Sequence, residues 1–188
     1  MSAYNVEDIK VLTGLEAVRK RAGLYFKLDD PLLASKLILT PLQYALEAGV
    51  KGQVSLSSAT WGTVSWRKAL PTELRRGTSP QRQAEALVSQ LFAGGPGTNL
   101  FENVCSQLAA INGVCEVFEI LINDSVGEWG QRYEKGLAVS EFELVGDTTG
   151  DHTFIEMQID ETLIPSTFDR EFIQKWASEQ ETEVTTWS

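Results

Sequence analysis

Few side chains in this 188-residue chain are of the types that carry nucleophilic or metal chemistry. His152 is the single histidine, so a catalytic triad or a histidine metal cluster would have to rest on it alone. The two cysteines, Cys105 and Cys115, form no disulfide framework or zinc motif, and we interpret them as small buried hydrophobic residues. No serine lies in a Gly-x-Ser-x-Gly elbow. Enzymes that use a histidine metal cluster or a Gly-x-Ser-x-Gly nucleophile are therefore excluded.

Two short stretches could contact an anion. The run at 94–97 is rich in glycine, but it lacks the trailing Gly-Lys-Ser/Thr of a phosphate-binding P-loop, so a loop that ends a helix is the better interpretation. Arg67 and Lys68, with Arg75 and Arg76, make a basic patch on an acidic chain. This patch is either a solvated loop or a contact for an anion or DNA.

The composition limits the partners. The formal net charge is −10, which argues against strong nucleic-acid binding because neutralising phosphates needs concentrated lysine and arginine. A hydrophobic content of 43% with 22% charged residues is typical of a globular domain. We find no membrane-spanning apolar run and no signal-peptide pattern, and expect a cytoplasmic protein with no membrane contact. One domain is expected over residues 1–180, followed by a polar tail at 181–188 that frays.

Hydrophobic spacing predicts the elements that would position these residues. Helices are predicted from Asn5 to Arg21, over 31–48, from Ser79, over 100–112 and from about 167 onward. Strands are predicted over 53–57, 61–66, 114–122, 128–133, 139–145 and 153–159. Helices early and strands later, with hairpin-length connections, indicate an α+β fold with helices packed on one face of a mixed, mostly antiparallel sheet.

The N-terminal residues then point to a family. Residues 4–12 read YNVEDIKVL and residues 14–21 read GLEAVRKR, followed by Gly23 and Tyr25. This string closely resembles the opening of the ATPase domain in the B subunit of DNA gyrase and its topoisomerase IV relative, an arm with a tyrosine followed by a helix reading I-x-V-L-x-G-L-E-A-V-R-K-R-P-G-M-Y. Ala22 and Leu24 replace the proline and the methionine. Weaker similarity continues at 45–49, 70–71, 91–95, 106–112, 133–136, 145–147 and 168–173. The resemblance implies the Bergerat-type ATP-binding sandwich of the gyrase, Hsp90, histidine-kinase and MutL proteins.

The residues that the family uses for hydrolysis are missing. In the family, a glutamate on the second helix is the general base and an asparagine one turn later holds magnesium. The resemblance matches Lys36 to a place near the glutamate and Thr40 to the asparagine, with Pro41 beside it. Lysine has no acceptor, and residues 32–44 contain no Asp, Glu or Asn in any register. We therefore expect no ATP hydrolysis, no catalytic residue and no metal or cofactor.

The nucleotide pocket is also changed. The adenine-binding aspartate of the motif D-D-G-R-G-I-P falls on serine or tryptophan here, because residues 65–71 read SWRKALP. Residues 98–105, matching the family's glycine-rich lid, contain no glycine to let backbone amides approach phosphate. The resemblance leaves as nucleotide-binding remnants Ser65, Lys68, Pro71 and Thr153.

The best-preserved part is the segment that the family uses to dimerise. The resemblance therefore suggests an interface that includes Tyr4, Ile9, Leu12 and Arg19, either for self-association or for another protein such as a gyrase or topoisomerase subunit. The simpler alternative is that this helix survives because it packs on the sheet. A second functional alternative is a residual or altered small-molecule or nucleotide site, whereas a DNA mimic is disfavoured because the acidic residues form no long run. We also expect that the chain ends where the family's ATPase core ends, so that it is not a topoisomerase by itself.

Overall fold

The structure is a computed structural model that describes residues 15–47, 49–70 and 100–186, with side chains from Gln107 onward in the last range. Within these ranges, four α-helices accompany an eight-stranded sheet. The helices are α1 (Leu15–Lys20), α2 (Leu33–Glu47), α3 (Leu100–Gly113) and α4 (Arg170–Glu179), with a 3₁₀ turn at Ala22–Leu24. The strands are β1 (Gly52–Leu56), β2 (Trp61–Trp66), β3 (Cys115–Asn123), β4 (Glu128–Glu134), β5 (Leu137–Ala138), β6 (Glu143–Gly146), β7 (His152–Ile159) and β8 (Glu183–Thr186).

The sheet is mixed and mostly antiparallel. Its strand order is β5-β4-β3-β7-β2-β1-β8, and β6 pairs with β4 beside β5. The β1–β8 pair is parallel, whereas the other described pairs are antiparallel. This confirms the predicted α+β class.

Alternation along the strands separates the two faces of the sheet. In β2 the buried positions are Gly62, Val64 and Trp66, and in β7 they run from Thr153 to Ile159 in steps of two. These positions face the helices, because a Cβ at Gly62 would lie 2.5 Å from Ile38 Cδ1 of α2. The alternate residues form the opposite side of the sheet, which we call the open face.

Helix α2 supplies much of the core on the helix side. Ten of its fifteen residues are buried, among them Leu37, Ile38, Leu42 and Ala45. Pro41 lies inside the helix, as predicted, and its ring is buried there. Beside α2, the Asp169 amide donates to Ser35 Oγ, and the Asp169 carboxylate caps α4 by accepting from the Phe172 amide.

Two sequence predictions were wrong at the ends of the sheet. Of the predicted strand over 139–145, only the part from Glu143 onward is a strand, β6. Before it, the Ser140 carbonyl and hydroxyl accept hydrogen bonds from Gln131 and Arg132 of β4, and Phe142 turns inward to stack on Trp129, with ring centroids 5.9 Å apart. The tail predicted to fray contains β8, which pairs with β1 and packs Val184 against the core. The helix predicted from Ser79 and most of the helix predicted from Asn5 lie outside the described residues.

Candidate functional site

Lys36, the residue near the family's general-base position, faces away from the core. Its side chain is 50% exposed, and Nζ donates to Asp30 Oδ2 at 2.5 Å. This hydrogen bond, with a second from the Leu32 amide, lowers the pKa of the Asp30 carboxyl. Lys36 therefore forms an ion pair with Asp30 on the outer side of α2.

Thr40, which the resemblance matches to the family's magnesium ligand, uses its hydroxyl within its own helix. Thr40 Oγ1 donates to the Lys36 carbonyl at 2.8 Å. The next residue, Pro41, is buried and brings no backbone N–H. In the described part of the chain, no group of three or more His, Cys, Asp or Glu side chains is arranged to hold a metal ion.

At the adenine-aspartate position, the strand register distinguishes Ser65 from Trp66. Ser65 lies on the open face, whereas Trp66 lies on the helix face, where its side chain is 3% exposed. The indole Nε1 is buried and has no hydrogen-bond partner within the described structure. Neither of the two residues that the resemblance matches to the aspartate is therefore a carboxylate, and Trp66 brings an aromatic ring with a donor group to the helix face.

Thr153 is buried beside Trp66, its pairing partner across the β2–β7 ladder. Its Oγ1 donates to the Lys68 carbonyl at 2.8 Å and accepts from the Leu70 amide at 3.0 Å. The hydroxyl thus holds the segment that leaves β2, and its one proton is already donated to the protein backbone. Lys68 contributes its carbonyl to this contact. Pro71, the fourth predicted remnant, lies outside the described residues.

Arg19 is the one predicted interface residue within the described ranges; Tyr4, Ile9 and Leu12 lie outside them. Its guanidinium, with the side chain 20% exposed, donates to the Gly113 and Cys115 carbonyls and to Asp160 Oδ2. Asp160 Oδ1 accepts from the amide and hydroxyl of Thr162. Arg19 therefore joins α1 to the α3–β3 junction and to the end of β7, the packing role that was the alternative to an interface.

The surroundings of the Asp160 carboxyl favour its charged form. Burial of Asp160 raises its pKa, but the Thr162 and Arg19 hydrogen bonds outweigh this effect and hold the pKa below its usual value. Burial also raises the pKa of the neighbouring Cys115 thiol. That cysteine is therefore an inert core residue, whereas the Cys105 side chain lies outside the described ones.

The open face carries a groove that the sequence motifs did not indicate. It has a volume of about 670 Å³, with Ser65, Phe154 and Leu121 from three neighbouring strands on its floor. Its rim is charged, with Lys51 paired to Glu181 and Gln53 bonded to Glu183. Arg67, also on the rim, makes no ion pair with a described residue. The alternation of buried and exposed residues within each strand predicted which residues share a face. The groove could not be predicted, because its floor comes from neighbouring strands whose order in the sheet the sequence did not reveal.

Similarity to known proteins agrees with the fold and with the motif at the N-terminus. No family model matches the chain. It is 29% identical over 157 residues to the DNA gyrase B subunit of Caulobacter vibrioides, a match that covers 77% of this chain and 19% of the relative. It is 24% identical over 186 residues to the DNA gyrase B subunit of Thermotoga maritima, covering 93% and 29%. It is 24% identical over 161 residues to the DNA topoisomerase 4 B subunit of Bartonella bacilliformis, covering 78% and 23%.

The chain thus spans less than a third of the length of these curated relatives. The similarities extend well beyond the N-terminal motif and confirm the resemblance drawn from it. The chain is therefore gyrase B-like. Among the described residues, no helix is both long and apolar enough to cross a membrane.

Proposed function

We propose that this gyrase B-like domain does not hydrolyse ATP and acts in the cytoplasm by binding another protein or a second copy of itself. The observation that carries the proposal is α2, where the residues near the base and magnesium positions are a solvent-facing lysine paired with Asp30 and a threonine bonded to its own helix. Orienting the attacking water requires a positioned acceptor, and magnesium requires hard oxygen ligands. Residues 32–44 supply no Asp, Glu or Asn.

Nucleotide affinity should be lost together with turnover. Trp66 brings a ring and a donor to the helix face, and the Thr153 hydroxyl is engaged by the backbone at Lys68 and Leu70. Each lost charged or hydrogen-bonded contact costs on the order of 1.5–3 kcal/mol, so we expect Mg·ATP to bind more weakly than about 1 mM.

Phosphate release with Mg·ATP tests the proposal on the purified full chain. A contaminating ATPase is distinguished by two matched variants, Thr40→Ala on α2 and Thr63→Ala on the open face of β2. We expect no turnover that responds to either variant, and no calorimetric heat at submillimolar ATP or ADP. Turnover that falls in Thr40→Ala but persists in Thr63→Ala would establish an active site on α2 and refute the proposal.

A candidate interaction segment is the N-terminal arm with its first helix, on the strength of the well-matched residues 4–21. Tyr4 precedes that helix, and aromatic side chains are frequent anchors of interfaces. Deleting residues 1–6 should weaken any dimer seen by sedimentation without lowering the melting temperature. If the truncated chain associates as strongly as the full chain, the arm has no part in the association.

A second candidate function is favoured by the groove on the open face. Phe154 and Leu121 supply an apolar floor, Ser65 a hydroxyl, and Arg67 a guanidinium without an ion pair to a described residue. This combination suits a small molecule with an apolar body and an anionic group. Thermal shift with a panel of aromatic carboxylates tests it, because a bound ligand raises the melting temperature. The expected shift should disappear in Arg67→Gln and persist in Lys27→Gln, a matched change away from the groove.

A further inference from the structure

Exposed aliphatic side chains concentrate along one edge of the sheet. The described residues include seven strongly exposed large hydrophobic side chains, and five of them belong to β5, β6 or the turns beside them. These are Val126, Leu137, Val139, Leu144 and Val145, which are between 52% and 71% exposed. Single exposed hydrophobic residues are ordinary, but a group at one edge is typical of an interaction site. We call this group with its acidic neighbours the β6 edge.

The backbone of β6 adds a second feature. One side of β6 pairs with β4, from Glu143 opposite Gly130 to Gly146 opposite Glu128. Its other side is paired with no strand of the described structure. Unpaired N–H and C=O groups on an apolar edge strand are a template for another strand.

The neighbouring loop holds this strand in place. The Asn123 side chain is fully buried, and its Oδ1 accepts from the Thr148 hydroxyl and the Thr149 amide. The single hydroxyl proton of Thr148 is shared between Asn123 Oδ1 and the Asp124 carbonyl, which lies 2.7 Å from the hydroxyl oxygen. The segment that follows β6 is thus fastened to the end of β3, so the edge is presented in a defined position.

Charge identifies the kind of partner. Between residues 134 and 151 there are five acidic side chains and one lysine, all exposed. The acidic residues are Glu134, Glu141, Glu143, Asp147 and Asp151. A second copy would bring the same acidic surface and the same net charge of −10, and would be repelled. A segment that alternates apolar and basic side chains would match both the apolar residues and the charge.

We propose that the β6 edge binds an extended, apolar and basic segment of a partner protein, which adds a strand to β6. In this mode the backbone supplies hydrogen bonds and the exposed aliphatic side chains supply apolar contact. The proposal deepens the interaction function proposed above and rests on it. It assigns that function to described residues of β5, β6 and their turns, in place of residues 4–21.

The test uses the full chain and a synthetic probe, a short capped peptide of alternating lysine and valine. Its binding is measured by fluorescence anisotropy at about 0.15 M salt, where long-range attraction is largely screened. A glutamate–valine peptide is the control probe. We expect binding of the lysine peptide only, and slowed hydrogen exchange at the amides of residues 143–146 when it is bound.

Matched variants locate the contact. Leu144→Ser with Val145→Ser should weaken binding about tenfold, whereas Leu24→Ser, at an exposed site elsewhere, should leave it unchanged. Glu141→Gln with Glu143→Gln should weaken binding about threefold, whereas Glu171→Gln with Glu179→Gln on α4 should not. Unchanged melting temperatures show that all variants fold.

Several results would overturn the proposal. The first is that the α4 charge variant loses as much affinity for the lysine peptide as the Glu141→Gln, Glu143→Gln variant. The second is that the glutamate peptide binds as tightly as the lysine peptide, and the third is that hydrogen exchange of the β6 amides does not change on binding. A dimer that dissociates in the Leu144→Ser, Val145→Ser variant would make a second copy the occupant instead. Peptide binding and ATP turnover are separate readouts. If the chain shows neither, the β6 edge is refuted as a binding surface, while the proposal that the chain does not hydrolyse ATP still stands.

Discussion

At Arg19 one side chain connects four parts of the chain. Its guanidinium reaches the Gly113 and Cys115 carbonyls and the Asp160 carboxylate, which is 5% exposed. The arginine belongs to the motif that resembles the family's dimerisation segment, but its contacts in the structure are internal. A residue within a recognised motif can therefore be needed for packing, and the motif alone does not distinguish packing from an interface.

We expect Arg19→Met to destabilise the fold by about 2–4 kcal/mol, because it leaves the buried Asp160 charge without its cation. Urea unfolding at neutral pH measures the change. Lys51→Ala is the control, since the side chains of the Lys51–Glu181 pair are mostly exposed and such pairs contribute little. An effect no larger than that of the control would show that the Arg19 contact is not stabilising.

The same pair predicts an acid dependence. The pKa of Asp160 is lower in the folded chain than the ordinary value of 3.8, so the stabilisation is complete above that value and is lost as the pH falls through the folded pKa. Asp160→Asn should therefore flatten the decline in unfolding free energy below about pH 4. Denaturant unfolding from about pH 6 to about pH 2.5 measures this. Parallel declines in both proteins would contradict the assignment.

Gly113 predicts a packing effect at the α1–α3 contact. A Cβ at this position would lie 2.8 Å from Val18 Cβ, and both residues are buried. We expect Gly113→Ala to cost about 1–3 kcal/mol by overpacking. Gly23→Ala is the matched control, since its nearest neighbour would be at an ordinary 3.5 Å. Thermal melts that rank the two variants equally would contradict the close approach.

At the scale of elements, local patterns predicted α2, the β1–β2 hairpin, β3 and β7 to within one or two residues. Each has a clear period, as in Gln53-Val54-Ser55-Leu56, where buried and exposed positions alternate. The break between β5 and β6 depends on a stacking contact between Phe142 and Trp129, which are distant in sequence. Periodicity within a segment carries no information about such contacts.

Strand β8 was missed for a related reason. Glu183–Thr186 is polar and short, and it forms a strand because β1 offers an edge to which it adds in parallel. The side chains of Gln53 and Glu183 reinforce that pairing with a hydrogen bond of 2.6 Å. The pairing could be predicted only from the tertiary arrangement that brings the end of α4 beside β1.

Truncation after Thr182 tests the contribution of β8. We expect a loss of about 1–2 kcal/mol, from the packing of Val184 and the ladder hydrogen bonds, and faster exchange of the β1 amides that face β8. Native-state hydrogen exchange measures both quantities. Thr185→Ala, which keeps the strand and changes an exposed side chain, should leave the β1 amides protected. Unchanged β1 exchange in the truncated chain would show that β8 contributes nothing to the edge.

For the whole molecule, the residues that the resemblance matches to the family's nucleotide site lie on separate elements. Lys36 and Thr40 are on α2, Trp66 ends β2, and Thr153 lies on β7. The missing carboxylate and asparagine on α2 could be predicted from residue types alone. The burial of Trp66 on the helix face, the position of Ser65 on the open face, and the two hydrogen bonds of Thr153 required the strand register and the fold around it.

This distribution predicts that restoring α2 alone does not restore hydrolysis. In Lys36→Glu with Thr40→Asn, the family's residue types return, but position 36 still faces solvent beside Asp30, and Trp66 remains on the helix face. We expect no Mg-dependent phosphate release above the parent chain. The melting temperature should fall, since the ion pair of the half-exposed Lys36 with the partly buried Asp30 becomes a repulsive pair. Lys51→Glu, which makes the same change at the exposed pair with Glu181, controls for that loss. Magnesium-dependent turnover in the double variant would mean that the sheet side still forms a working nucleotide site, and that the loss of function lies in two α2 residues only.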